Sequence, residues 1–185
     1  MISSAKAVLK DTAGDVELAN IETWDYPINA FDLVVARLSL HYVCKLQSVV
    51  KRVFNALVYG GRFVFSVEHP VITSCARGWD ANTPRQDWLV DDYFVTGKRV
   101  TSWLGGTLVK YHRTVEEYYV ILKRAGFCVE ELREATPVLK NFESEDNFSR
   151  RRRIPLFLIM SACKPNDVKT LACAPTELPA DAKRG

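Results

Sequence analysis

Apolar residues in this chain recur at two spacings, and the changes between them lay out the elements. Phe31, Leu33, Val34, Val35 and Ala36 form a short, nearly continuous apolar run that reads as a strand, Phe31 to Ala36. Leu46, Val49, Val50, Val53, Phe54 and Leu57 then recur at three- and four-residue steps, the apolar face of an amphipathic helix over 45–57. Gly60 and Gly61 are expected to stop that helix, and Arg62 to Val67 to form the next strand. Two apolar strands joined by a helix predict a right-handed β-α-β crossover in a parallel sheet covered on both faces.

Upstream, Ile2, Ala5, Val8 and Leu9 stand at helical spacing, with Thr12, Ala13 and Gly14 as the stop. Val16, Leu18 and Ile21 alternate as a short strand, followed by a loop, Glu22 to Ala30, punctuated by Pro27 and Asn29. From Pro70 to Lys110 both periods are lost, and Trp79, Trp88, Trp103 and four glycines predict a long, irregular but ordered insertion. Thr114 and Glu117 make a capping box for a helix carrying Val115, Tyr118, Tyr119 and Leu122 and ending at Gly126. Phe127 to Leu132 and Pro155 to Cys163 read as two further strands. Beyond Lys164 the composition turns to Pro, Ala, Lys and Asp, which predicts a disordered tail over 164–185.

With 185 residues, 48% of them hydrophobic, the chain suits one globular unit. The net charge of +3 is spread among acidic neighbours and argues against a dedicated nucleic-acid surface. Arg150 to Arg153 beside Glu143 to Asp146 reads as a solvated loop of weak ion pairs, with phosphate binding as the alternative. Five cysteines without CxxC or Cys/His spacing predict free thiols and no metal ligand set. The longest apolar run, Ile154 to Cys163, is too short to cross a bilayer, so a cytoplasmic protein without membrane partners is expected.

Taken together, FDLVV, LHYV, the GGR turn, FSVEHP and KYHRT resemble the second half of the class I S-adenosylmethionine-dependent methyltransferases of the methyltransferase type 11 group, over residues 1–163. The resemblance implies an α/β, Rossmann-like fold with the family's strand order 3-2-1-4-5-7-6. It also implies an N-terminal truncation that removes the first two strands, and makes 70–110 a lid-like insertion after the fifth. The family's GxGxG-type loop has no counterpart in this sequence. Two explanations follow: an internally placed start in the gene product or gene model, which is favoured, or a fragment completed by another polypeptide. Either leaves Val16 to Ala19 without a neighbour and Phe31 to Ala36 as an exposed apolar edge.

Ligands of open parallel sheets bind at the carboxyl ends of the strands. The resemblance then assigns S-adenosyl-L-methionine to Asn20 and Ile21 at the adenine, and to Ala36, Arg37, Leu38 and His41 beside the methionine part. Asn20 stands where relatives carry an aspartate, keeping an acceptor oxygen without its charge. Methyl transfer from a sulfonium is an in-line displacement that needs alignment more than a fixed catalytic group. Where the acceptor is a hydroxyl or acidic carbon, a histidine base helps. The catalytic expectation falls on His69 and His112, with Glu68, Tyr111 and Arg113 as acceptor contacts. The expected function is transfer of the methyl group to a small-molecule acceptor, incomplete and weak or inactive in this chain. The alternatives are a catalytically dead remnant serving as an interaction subunit and, more distantly, a nicotinamide dehydrogenase, whose fingerprint is also absent.

Overall fold

The computed structural model describes residues 2–75, 77, 87–103 and 106–166. Helix α1 spans Ile2–Leu9, strand β1 Phe31–Arg37, helix α2 Leu46–Ala56 and strand β2 Leu57–Glu68. Parallel pairing of β1 with β2 completes the crossover that the periodicity predicts. The helix ends earlier than expected, at Ala56. Leu57 to Tyr59 are already extended, and Gly60 and Gly61 lie within β2 as a bulge between the Phe31↔Leu57 and Leu33↔Arg62 pairs. Gly60 adopts φ 77°, and a Cβ on Gly61 would stand 2.9 Å from the Val58 carbonyl within the bulge and 3.2 Å from the Asp32 carbonyl of β1, so glycine serves a close strand approach here rather than a helix stop.

Helix α3, Pro70–Thr73, follows β2. The expected irregular insertion is in part regular: β3, Gly97–Trp103, and β4, Gly106–His112, form a separate antiparallel hairpin. Val100, Leu108 and Val109 supply the strand propensity, which Trp and Gly punctuation hides in the sequence. Trp79 and Gly105, and residues 167–185 of the tail expected to be disordered over 164–185, lie outside the described residues. Lys164, the first residue of that tail, is instead ordered and buried, because its Nζ donates to Asn29 Oδ1 at 2.8 Å and to the Leu57 carbonyl at 2.7 Å. Helix α4, Val115–Ala125, starts at Thr114, whose hydroxyl accepts from the Glu117 N–H at 3.0 Å, and ends at Gly126 with φ 105°. Strand β5 spans Cys128–Glu134, helix α5 Glu145–Arg151 and strand β6 Phe157–Cys163.

The main sheet runs β1-β2-β6-β5, with β6 antiparallel to both neighbours. This is the 4-5-7-6 portion of the implied order. Phe63, Phe65 and Val67 of β2 face the same side as their partners Ala162, Met160 and Leu158 of β6, and α2 and α4 cover them with Val49, Val50, Val53, Ile121 and Leu122. The opposite face is barer: Leu33 and Val35 are 55% and 63% exposed, and the outer edge of β1 has no neighbour among the described residues. Val16 to Ala19 is not a strand, because no described strand lies beside it to supply a ladder.

Candidate functional site

At the carboxyl end of β1 the chain turns through Leu38, whose φ of 49° is unusual for a branched residue. Its N–H is held by Ser66 of β2, at 2.9 Å to the carbonyl and 3.2 Å to the hydroxyl. The one-turn helix Leu40–Tyr42 that follows drives His41 under the end of β2. There His41 is 1% exposed, and its Nδ1 accepts from the Glu68 N–H at 3.3 Å. Burial lowers its pKa to about 4; the Glu68 carboxylate opposes this and the Lys110 ammonium reinforces it. Both Glu68 oxygens lie 2.7 Å from Lys110 Nζ, a largely sheltered ion pair joining β2 to β4.

One residue on, buried His69 caps α3 by accepting from the Val71 N–H at 3.2 Å through Nδ1. With Nδ1 accepting, the neutral ring carries its proton on Nε2, which lies 3.0 Å from Glu134 Oε1. Burial lowers the His69 pKa, with Glu134 pulling the other way. Thr73 at the end of α3 places Oγ1 2.8 Å from His112 Nδ1, while His112 Nε2 lies 2.9 Å from the Tyr93 carbonyl. A carbonyl only accepts, so Nε2 carries the proton and Nδ1 takes the threonine hydroxyl. Burial keeps this imidazole neutral as well, with the Arg99 and Arg113 charges adding to the effect.

His41, Glu68, His69 and His112 thus converge, through α3 and the Lys110 bridge, on one buried polar cluster at the carboxyl end of β2. Neither histidine named for catalysis shows a free basic nitrogen: both ring nitrogens of His112 are bonded, and Nδ1 of His69 is spent on the cap. The three acceptor residues separate. Tyr111 and Arg113 line a cavity of 280 Å³ with Cys44 and Glu117, whereas Glu68 lines a larger cleft of 690 Å³ with Ile72, Trp88, Pro137, Phe142 and Phe157. Arg113 is buried, donating through Nη2 to the carbonyls of Val43 at 2.7 Å and Cys44 at 2.9 Å, and so fixes the approach to α2.

The residues implied for the cofactor do not join this cluster, His41 apart. Asn20 Oδ1 accepts from the Glu22 N–H at 2.9 Å, the Ile21 carbonyl accepts from the Tyr26 hydroxyl at 3.0 Å, and Glu22 Oε1 takes the Lys45 N–H at the start of α2. Neither cavity is lined by Asn20, Ile21, Ala36, Arg37, Leu38 or His41. The Asn20 oxygen, the Leu38 N–H and Nδ1 of His41 are already paired. As a cradle for S-adenosyl-L-methionine these described segments fit incompletely, since their polar atoms are spent on internal bonds. Lys110, Thr73, Tyr93 and Glu134 hold the cluster together and are missing from the sequence reading. Alternation along β4 is the signal for one of them, since Lys110 and His112 share a face and Tyr111 takes the other.

Comparison with known proteins follows the same lines. The family described as methyltransferase domain matches residues 1–65. The structure resembles an S-adenosylmethionine-dependent methyltransferase from Mesorhizobium loti at 36% identity and a TM-score of 0.80, covering 88% of this chain and 75% of that one. It also resembles a Listeria monocytogenes protein assigned as an S-adenosylmethionine-dependent methyltransferase, at 33% identity and a TM-score of 0.78, covering 87% of this chain and 74% of that one. An uncharacterized protein from Haemophilus influenzae is 27% identical over 114 residues, 60% of this chain. That match spans 45% of the relative's length.

Proposed function

Because the chain belongs to the S-adenosylmethionine-dependent methyltransferases, we propose that it carries the acceptor side of an enzyme that methylates a small molecule, and that by itself it binds S-adenosyl-L-methionine weakly or not at all. The observation that supports this reading is the contrast between the two sides of the site. The acceptor side holds a sheltered polar cluster beside a 690 Å³ cleft, within the size range of small-molecule sites. On the cofactor side the polar atoms are paired internally and the sequence lacks a GxGxG-type loop.

The Glu68–Lys110 pair, the His69 cap and the Thr73–His112–Tyr93 bridge fix α3 and the hairpin against the end of β2, so that the walls around an acceptor are preorganised. His69 and His112 act here mainly as positioning groups, and their loss lowers turnover more than cofactor affinity. Isothermal titration of the 185 residues with S-adenosyl-L-methionine is the first test, and binding at about micromolar affinity or tighter would refute the weak-binding part. Joined to a glycine-rich strand–loop–helix segment of the family, the chain should release S-adenosylhomocysteine in the presence of a small-molecule acceptor. His69→Gln and His112→Gln should each reduce that turnover while titrating normally with cofactor. A catalytically silent interaction subunit is the second reading, favoured by the open edge of β1 with Leu33 and Val35 exposed. Failure of the completed chain to bind cofactor would select it.

A further inference from the structure

We propose that the 690 Å³ cleft receives a flat apolar molecule bearing an oxyanion, a carboxylate or phosphate, and that Arg151 reads this oxyanion. The inference rests on the acceptor-side reading and names the class of acceptor. The walls come from Ile72 on α3, Trp88, Pro137, Phe142, Leu156 and Phe157. Trp88 donates its ring N–H to the Val71 carbonyl at 3.2 Å, which holds the indole in place as a wall. Such a lining favours an aromatic or similarly flat apolar body.

Charge in the cleft is distributed unequally. Of four consecutive arginines, Arg150 donates to Asn147 Oδ1 at 2.7 Å, Arg152 lies over the Phe148 ring at 5.4 Å, and Arg153 pairs with Asp87 at 3.4 Å. Arg151 alone of the four has a side chain with neither a hydrogen bond, an ion pair nor a ring contact among the described residues, and it lines the cleft. A guanidinium fork in an apolar wall matches a carboxylate or phosphate with two parallel hydrogen bonds. The other charged group in the lining, Glu68, is neutralised by Lys110 and offers an anion nothing, so it orients the oxyanion toward Arg151 and the neutral end toward the polar cluster.

The test is titration of the full chain with naphthalene-2-carboxylate, 2-naphthyl phosphate and neutral naphthalene-2-carboxamide, followed by calorimetry. At least one anion should bind about tenfold more tightly than the carboxamide, the scale of one charge-assisted hydrogen bond, and the better of the two identifies which oxyanion the site takes. Arg151→Gln should erase the preference and leave carboxamide affinity unchanged, while Arg152→Gln should alter neither. Ile72→Trp, which fills the cleft, should abolish binding of all three. Equal affinities, a preference that survives Arg151→Gln, binding that survives Ile72→Trp, or no binding at all would overturn the proposal. No cofactor or turnover enters these titrations, so their failure and that of the methyl-transfer reading are read separately.

Discussion

Acidification should unfold this protein through His41. The ring is buried, accepts from the Glu68 N–H, and is held neutral with a pKa lowered from 6.5 to about 4. The unfolded chain therefore takes up the proton first as pH falls. The stability tied to the neutral ring is complete above the unfolded value, declines across the interval from 6.5 to about 4, and is gone below it. Each tenfold difference in proton affinity is worth about 1.4 kcal/mol, so the interval amounts to about 3 kcal/mol, a large share of a typical folding free energy. His69 and His112 are lowered in the same direction by burial and steepen the same slope. The assay is urea unfolding followed by tryptophan fluorescence at several pH values between about 7 and about 4.5. His41→Asn keeps an acceptor oxygen near the position of Nδ1 but does not titrate, so it should start less stable and lose about 3 kcal/mol less over the range. A wild-type slope in His41→Asn, or a wild type whose stability is flat across the interval, would refute the reasoning.

Val53 is 3% exposed on the α2 face that meets the sheet, and Val53→Asp puts an unpaired carboxylate there. Soluble expression should be lost, and wild-type-like solubility and melting would count against this packing. Lys110→Met should cost about 3 kcal/mol by stranding the Glu68 carboxylate, with Glu68→Gln in the same chain recovering much of it in denaturant titrations. Gly126→Ala should destabilise by about 1–2 kcal/mol in the same assay, since φ is 105° and the new Cβ would stand 3.0 Å from the Phe54 ring.

The parts of the fold that were legible in the sequence are those whose cause is local. The 3.6-residue spacing of Leu46 to Val53 declares α2, and Thr114, Glu117 and Gly126 mark both ends of α4 with capping chemistry. The boundary at Gly60 and Gly61 departs from the sequence expectation because a glycine pair looks the same at a helix end and in a strand bulge. The approach of β1, visible only in three dimensions, distinguishes the two. The β3–β4 hairpin was hidden for a related reason, since cross-strand pairing sets its register rather than strict alternation in either segment. In the candidate site, strand topology alone singles out His41, Glu68 and His69, but their bonding is not legible in the sequence, because Lys110, Tyr93 and Glu134 reach the cluster from distant positions in the chain.

Strand β6 is the last described strand in the chain, yet it occupies the seam of the sheet, between β2 and β5. On the ribosome, β1, α2 and β2 emerge first and can form their crossover, but β5 has no partner until Phe157 to Cys163 has been made. Through most of synthesis the backbone N–H and carbonyl groups along the inner edge of β2 stay unpaired, an open strand edge of the kind that recruits holding chaperones. Closure of the sheet is therefore a late, non-local event, and slow in proportion to the loop it must close. A nick or stop before Phe157 would divide the molecule along its middle instead of trimming its margin.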